Sequence, residues 1–161
     1  MSHIERIEVF PLHLPVLASF TFASGSAAGA KGAPHVLVRL TDSDGATGWG
    51  EARPVPGWSY ETLTSVTSAL RDQLGPAIHG LEVSDRAGAH AAMQRALGRA
   101  PSTGQPIARS AIDIALHDLL AKRAGLTLRA LLGGSDAAEP VALSYTVTAH
   151  EPAAAKQQVE Q

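Results

Sequence analysis

From Ile4 to Leu14 the chain reads IERIEVFPLHL, polar and apolar in turn, and then shifts phase around Phe10 and Pro11. That pattern predicts an edge strand with a bulge at the shift. HVLVRL and ATGWGEA follow, joined by TDSDG. Val36, Val38 and Leu40 fall on one face of a strand, and Asp44-Gly45 closes a hairpin. The period then lengthens from two to about 3.6. Ser59, as N-cap with Glu61 in the first turn, opens a helix to about Leu74, where Gly75-Pro76 ends it. Ser84 and Asp85 open a second helix that closes near 95–99, where cations suit its C-terminal dipole. The third, GQPIARSAIDIALHDLLAKRAGL, is the strongest periodic signal. Arg109, Asp113 and His117 form one stripe, and apolar residues cover most of the remaining circumference, as in a helix buried on more than one side. Gly125 is placed as its left-handed terminator, and TLRALLGG adds a short turn ended by paired glycines. An apolar strand at 141–147 and the opening of an Ala-rich helix come last. The order predicts an α+β domain, an antiparallel sheet followed by three helices, and then a unit that does not belong to it.

Two connections interrupt this pattern. Residues 16–34 are rich in Gly, Ala and Ser and predict a long loop, of the length that is usually functional or disordered. Residues 53–60 include Pro54 and Pro56, which forbid helix and stiffen the backbone. Composition adds exclusions. A chain of 161 residues with 45% hydrophobic content supports one sizeable core. Its net charge of −2 comes from interspersed acids and bases, without the basic stripe that nucleic acid requires. No window approaches about 18 apolar residues, and the charged N-terminus lacks the run of a signal peptide, so a cytoplasmic protein away from membranes is expected. There is no cysteine for disulfides or thiolate metal sites.

Local chemical motifs are mostly empty. GSAAGAKG lacks the register of a phosphate-binding loop, since Ala30 precedes Lys31 and Gly32 follows it. DSDG begins like a calcium loop, but its later ligand positions are wrong. The seven histidines form no H-x-H or H-x-x-x-H pair, and no G-x-S-x-G elbow exposes a nucleophile. His117, beside Asp113, reads as a satisfied helix-face histidine. GWGEARP differs: Gly48 and Gly50 alternate on one face and leave a strip free of side chains, which another backbone or a substrate can approach, while Trp49 and Glu51 project from the other.

GWGEARP, then ARSAIDIALHDLLAKRAGLTLRALLGG, then VALSYTV together resemble the N-terminal part of the enolase superfamily, in its mandelate racemase/muconate lactonizing enzyme branch. The resemblance runs along essentially the whole chain. It implies a capping domain at 1–138 followed, at 139–161, by the first strand and the start of the first helix of a truncated (β/α) barrel. It implies that the segments 16–34 and 53–60 close over the barrel mouth, so that Phe20, Phe22, Trp58 and Tyr60, with Ser144 and Thr146 on the first barrel strand, are the substrate-binding candidates. By the same resemblance the acid/base lysines and the carboxylate ligands of Mg²⁺ lie beyond Gln161, which leaves no catalytic and no metal-binding residue in this chain. The full-length enzyme would abstract a proton α to a carboxylate on a small-molecule substrate as a racemase or epimerase, cycloisomerase or dehydratase, and would form homo-oligomers. The chain alone would be inactive without the missing C-terminal barrel. SYTV resembles the corresponding strand of dipeptide epimerases and muconate cycloisomerases. The competing reading is a free-standing, non-catalytic α+β binding or interaction module, which should end after LLGGS instead of starting a lone strand.

Overall fold

The computed structural model describes residues 1–16, 21–22, 25–26, 31–98, 104–135, 140–144, 146–147, 149 and 151–160. Three strands form an antiparallel sheet in the order β1 (Ile4–Leu14), β4 (Ala33–Asp42), β5 (Thr47–Ala52). A two-stranded ribbon, β2 (Thr21–Phe22) with β3 (Gly25–Ser26), lies inside the segment expected as loop. Val36, Val38 and Leu40 are fully buried on one face of the central strand, as alternation demands. β1 is an edge strand, which is why Pro11 is tolerated. Its register against β4 runs unbroken through Phe10 and Pro11; the irregularity lies between Ile4 and Arg6 instead, where Ile4 also exchanges hydrogen bonds with Gly80 and Leu81.

The first helix starts later than expected and ends later too. Thr62, not Ser59, caps α1 (Leu63–Ser68), and Thr62 with Ser65 forms a reciprocal capping box. Gly75-Pro76 does not stop the chain. Pro76 has no N–H and its ring would clash in an α-turn, so a wider π-helical segment, Ala69–Leu74, carries the backbone past it into α2 (Gly75–Ile78). Helix α3 (Arg86–Ala96) is capped by Asp85, which accepts from the Gly88 N–H.

Helix α4 (Pro106–Ala124) is the axis of the domain and ends, as expected, at Gly125 with φ of 64°. Its buried face carries Ala108, Ala111, Ile112, Ala115, Leu116 and Leu119 and lies on β5. What approaches the glycine strip is this helix's own backbone: a Cβ at Gly50 would lie 1.9 Å from the Ala111 carbonyl oxygen, and one at Gly48 2.2 Å from that of Ala115. Asp118 accepts the Trp49 N–H at 2.8 Å and so also satisfies a backbone donor of the edge strand β5. At the far end of the helix Arg123 reaches the hairpin turn, where Asp42 is fully buried. Asp42 accepts from Arg123 at 2.5 Å and from the Ala46 and Asp44 N–H groups at 2.9 and 3.0 Å.

A short helix α5 (Leu128–Leu131), capped by Thr127, and α6 (Pro152–Val159) complete the described elements. Described residues 141–144, 146 and 147 belong to no strand, and Val141 and Leu143 are 80% and 89% exposed. Among the described residues of 141–147 the expected strand is not seen. A strand is held by its neighbours' hydrogen bonds and by a covered face, and among the described residues it has neither.

Gly50→Ala should lower unfolding stability by about 3 kcal/mol, because the helix and strand must separate to admit the methyl group. Urea denaturation measures this. Burial by itself would raise the Asp42 carboxyl, but the Ala46 N–H, Arg123 and the Asp44 N–H outweigh it and hold it below the usual range. Its folded pKa is thus lower than its unfolded one, so its contribution is complete at neutral pH and is lost as pH falls through the carboxylate range below about 4. Asp42→Asn should cost about 2 kcal/mol at pH 7, and the gap from wild type should narrow in unfolding titrations carried to about pH 2.5.

Candidate functional site

The antiparallel order brings the end of β1, the start of β4 and the end of β5 to one edge of the sheet. The segment between β1 and β4 and the segment after β5 both leave from this edge. His35 and Glu51, near their roots, are paired through Nδ1 and Oε1, and the His35 side chain is only 12% exposed.

The segment after β5 folds into a hydrogen-bonded turn. Ala52 is buried, and the Trp58 and Ser59 N–H groups both donate to the Val55 carbonyl at 3.0 and 2.9 Å. Gly57 supplies the positive φ, 90°, that the turn needs. The turn holds Trp58 at 71% and Tyr60 at 63% exposure. Beyond it the chain is tied down at once by Glu61, which is 1% exposed. Its two carboxylate oxygens accept the N–H groups of Ile107 and Ala108, at 2.7 and 3.0 Å, in the first turn of α4. Large aromatic side chains on a turn bolted at both ends are what a binding surface requires.

Ser144 and Thr146 are exposed and unordered by any sheet. Phe22 lies in β2, of which only the backbone is described, and Phe20 lies outside the described residues. Trp58 and Tyr60 share one turn; the described residues do not bring Ser144 or Thr146 into contact with it. The stripe Arg109, Asp113, His117 is a structural seam with α3. Arg109 donates to the Gln94 side chain at 2.6 Å, Asp113 pairs with His90 at 2.7 Å, and His117 meets Arg86. The Nδ1 of His117 donates to the Asp113 carbonyl, so Nε2 is the acceptor facing Arg86. On the outer face of the sheet Arg39 forms a two-point ion pair with Glu8 at 2.7 Å and lies over the Phe10 and Trp49 rings. The Arg39 hydrogen bond holds the Glu8 carboxyl below the usual range. Among the described residues no three His, Asp or Glu side chains gather where a metal ion could be held.

Residues 7–133 match the sequence profile of the mandelate racemase / muconate lactonizing enzyme N-terminal domain. The chain belongs to this family. It is 32% identical over 149 residues to the L-Ala-D/L-Glu epimerase of Bacillus subtilis (strain 168), a match that covers 92% of this chain and 38% of the epimerase. The muconate lactonizing enzyme of Mycobacterium smegmatis, solved with muconolactone, superposes with a TM-score of 0.83 at 30% identity over 98% of this chain and 40% of that one. A dipeptide epimerase from Enterococcus faecalis V583, solved with Mg and the dipeptide L-Leu-L-Tyr, gives 0.72 at 30% identity, covering 82% and 35%. The chain thus spans well under half the length of the relatives it matches. For this enolase-superfamily domain the edge that carries the turn 55–59 is the candidate site. Glu61, which anchors it, is not among the sequence candidates; its only local signal is an acid directly before the Thr62 cap.

Trp58 contributes exposed surface and not core. Trp58→Ala should shift unfolding stability by less than about 0.5 kcal/mol, read by thermal denaturation. A loss several times larger would assign the ring to packing.

Proposed function

We propose that the chain is the substrate-capping part, residues 1–138, with the opening βα segment, 139–161, of a Mg²⁺-dependent enzyme that abstracts the proton α to a carboxylate. The observation that carries this reading is the anchored turn 55–59, which presents Trp58 and Tyr60 beside the exit of the segment that holds Phe20 and Phe22. The solved relatives carry a dipeptide in one case and muconolactone in the other, so the substrate class that fits both is a small carboxylate.

The chemistry divides between the two parts of such an enzyme. A proton α to a carboxylate is too weakly acidic for a side-chain base unless the developing charge is neutralised, and Mg²⁺ supplies that neutralisation. By the family resemblance, the metal ligands and the acid/base groups belong to the barrel. This chain's own residues perform a different task. Trp58 and Tyr60, with Phe20 and Phe22, cover the substrate, exclude water and select its side chains, while Ser144 and Thr146 line the floor. The reading includes a cytoplasmic location, compatible with the absence of cysteine, and a homo-oligomer, for which Phe10 and Trp49 offer half-exposed apolar surface.

The full-length protein, incubated in D₂O with Mg²⁺ and a panel of L,L-dipeptides and muconolactone, should exchange the hydrogen α to the carboxylate for deuterium, followed by NMR. Loss of the α-proton signal from a dipeptide marks an epimerase, and label in muconolactone marks a cycloisomerase. The 161-residue chain alone should do neither. Exchange by the chain alone, above a metal-only control, would contradict the division of labour.

A further inference from the structure

Glu61 is an expensive residue for the task of ending a loop. A carboxylate removed from water loses several kcal/mol of hydration before any partner returns it, and among the described residues Glu61 makes no ion pair. Its compensation is two charge-assisted hydrogen bonds at the positive end of the α4 dipole, from Ile107 and Ala108. Helix α4 has no cap of its own, since Gln105 at the N-cap position makes no side-chain cap bond. The cap arrives from 46 and 47 residues upstream in the chain. A local Ser, Thr or Asp at position 105 would serve the helix equally well, so stability of α4 does not account for the long reach.

The reach is accounted for by what stands next to Glu61. Tyr60 precedes it directly, and the Tyr60 hydroxyl is 3.5 Å from the Gly104 carbonyl oxygen, just before the same helix. Ser59 Oγ donates to the Glu61 carbonyl at 3.3 Å. Tyr60 and Glu61 therefore grip 104–108 through two side chains, Ser59 braces Glu61 from within the segment, and the other end of the turn is fixed by β5. We propose that Glu61 is a positioning residue: its bonds to the start of α4 set the pose in which the turn 55–59 offers Trp58 and Tyr60 to a ligand. The significance for substrate rests on the function proposed above, whereas the positioning itself is a property of this chain.

The test uses Trp58 as its own reporter. The chain has two tryptophans, so in a Trp49→Phe background Trp58 is the remaining one. Time-resolved fluorescence anisotropy, well below the unfolding transition, is compared for the parent, Glu61→Gln, and Thr62→Ala. The last removes the α1 capping box one residue away and should lower Tm by roughly 5 °C without touching the Glu61 bonds. Glu61→Gln puts an amide N–H₂ against one of the two helix N–H donors, and the amplitude of the fast depolarisation of Trp58 should roughly double. Thr62→Ala should leave that amplitude at the parent value. Glu61→Asp, with the carboxylate withdrawn by one carbon, should fall between them and keeps the comparison available if the Gln variant does not fold. Equal Trp58 depolarisation in the parent and in every folded Glu61 variant overturns the proposal, and so does a rise that Thr62→Ala reproduces. Because anisotropy is read on the chain itself, its outcome holds whether or not the full-length protein exchanges the α-proton, and the two readings fail separately.

Discussion

The structure depends on the contact between a helix backbone and a strand backbone with no side chain between them. Gly48 and Gly50 face α4, and the carbonyls of Ala111 and Ala115 occupy the space where their Cβ atoms would be. At that distance the helix residues facing the strand must be small, which is why alanines recur at 108, 111 and 115. Dispersion forces reward such proximity and forbid any enlargement on either side. Asp118 then adds a hydrogen bond from the helix to the Trp49 N–H, which pins the sliding direction as well as the distance.

With α4 fixed in this way, other parts of the domain are positioned by attachment to it. Its N-terminus receives Glu61 and hence the exposed turn. Its C-terminus sends Arg123 into the hairpin, where Asp42 organises the reversal between β4 and β5. Its polar stripe meets α3 pair by pair. The candidate site is thus built on a rigid element at one remove: two exposed aromatic residues on a turn whose ends are a sheet strand and a buried carboxylate. A surface that selects ligands by shape requires such support, because each loose side chain loses entropy again on binding.

The hairpin and α4 were legible because burial on one face imposes a period, and the period survives in the residues themselves. The glycine strip was legible as a close approach, although alternation alone did not say whether a backbone or a ligand would come. What was not legible depends on partners distant in sequence. Ser59 and Thr62 are both acceptable caps by composition, and the choice fell to Thr62 because Ser65 reciprocates and Glu61 is drawn to α4. Gly75-Pro76 has the composition of a stop, yet a π turn passes it. The apolar run 141–147 has the composition of a strand and finds no neighbour among the described residues. For the site, proline and aromatic content marked the turn, but the residue that holds it was silent, since a Glu before a helix is ordinarily a solvated acid.

The central claim is that α4 and the three-stranded sheet, joined through β5, form one cooperative unit to which the site is attached. Native-state hydrogen exchange under increasing denaturant addresses it directly, through the amides of Ile112, Ala115 and Leu119 in the helix and Val38 and Leu40 in the central strand. The account predicts that these amides share one opening free energy, equal to that of global unfolding, and converge on the same denaturant dependence. A set of α4 amides that opens at distinctly lower free energy, while the sheet stays protected, would contradict it.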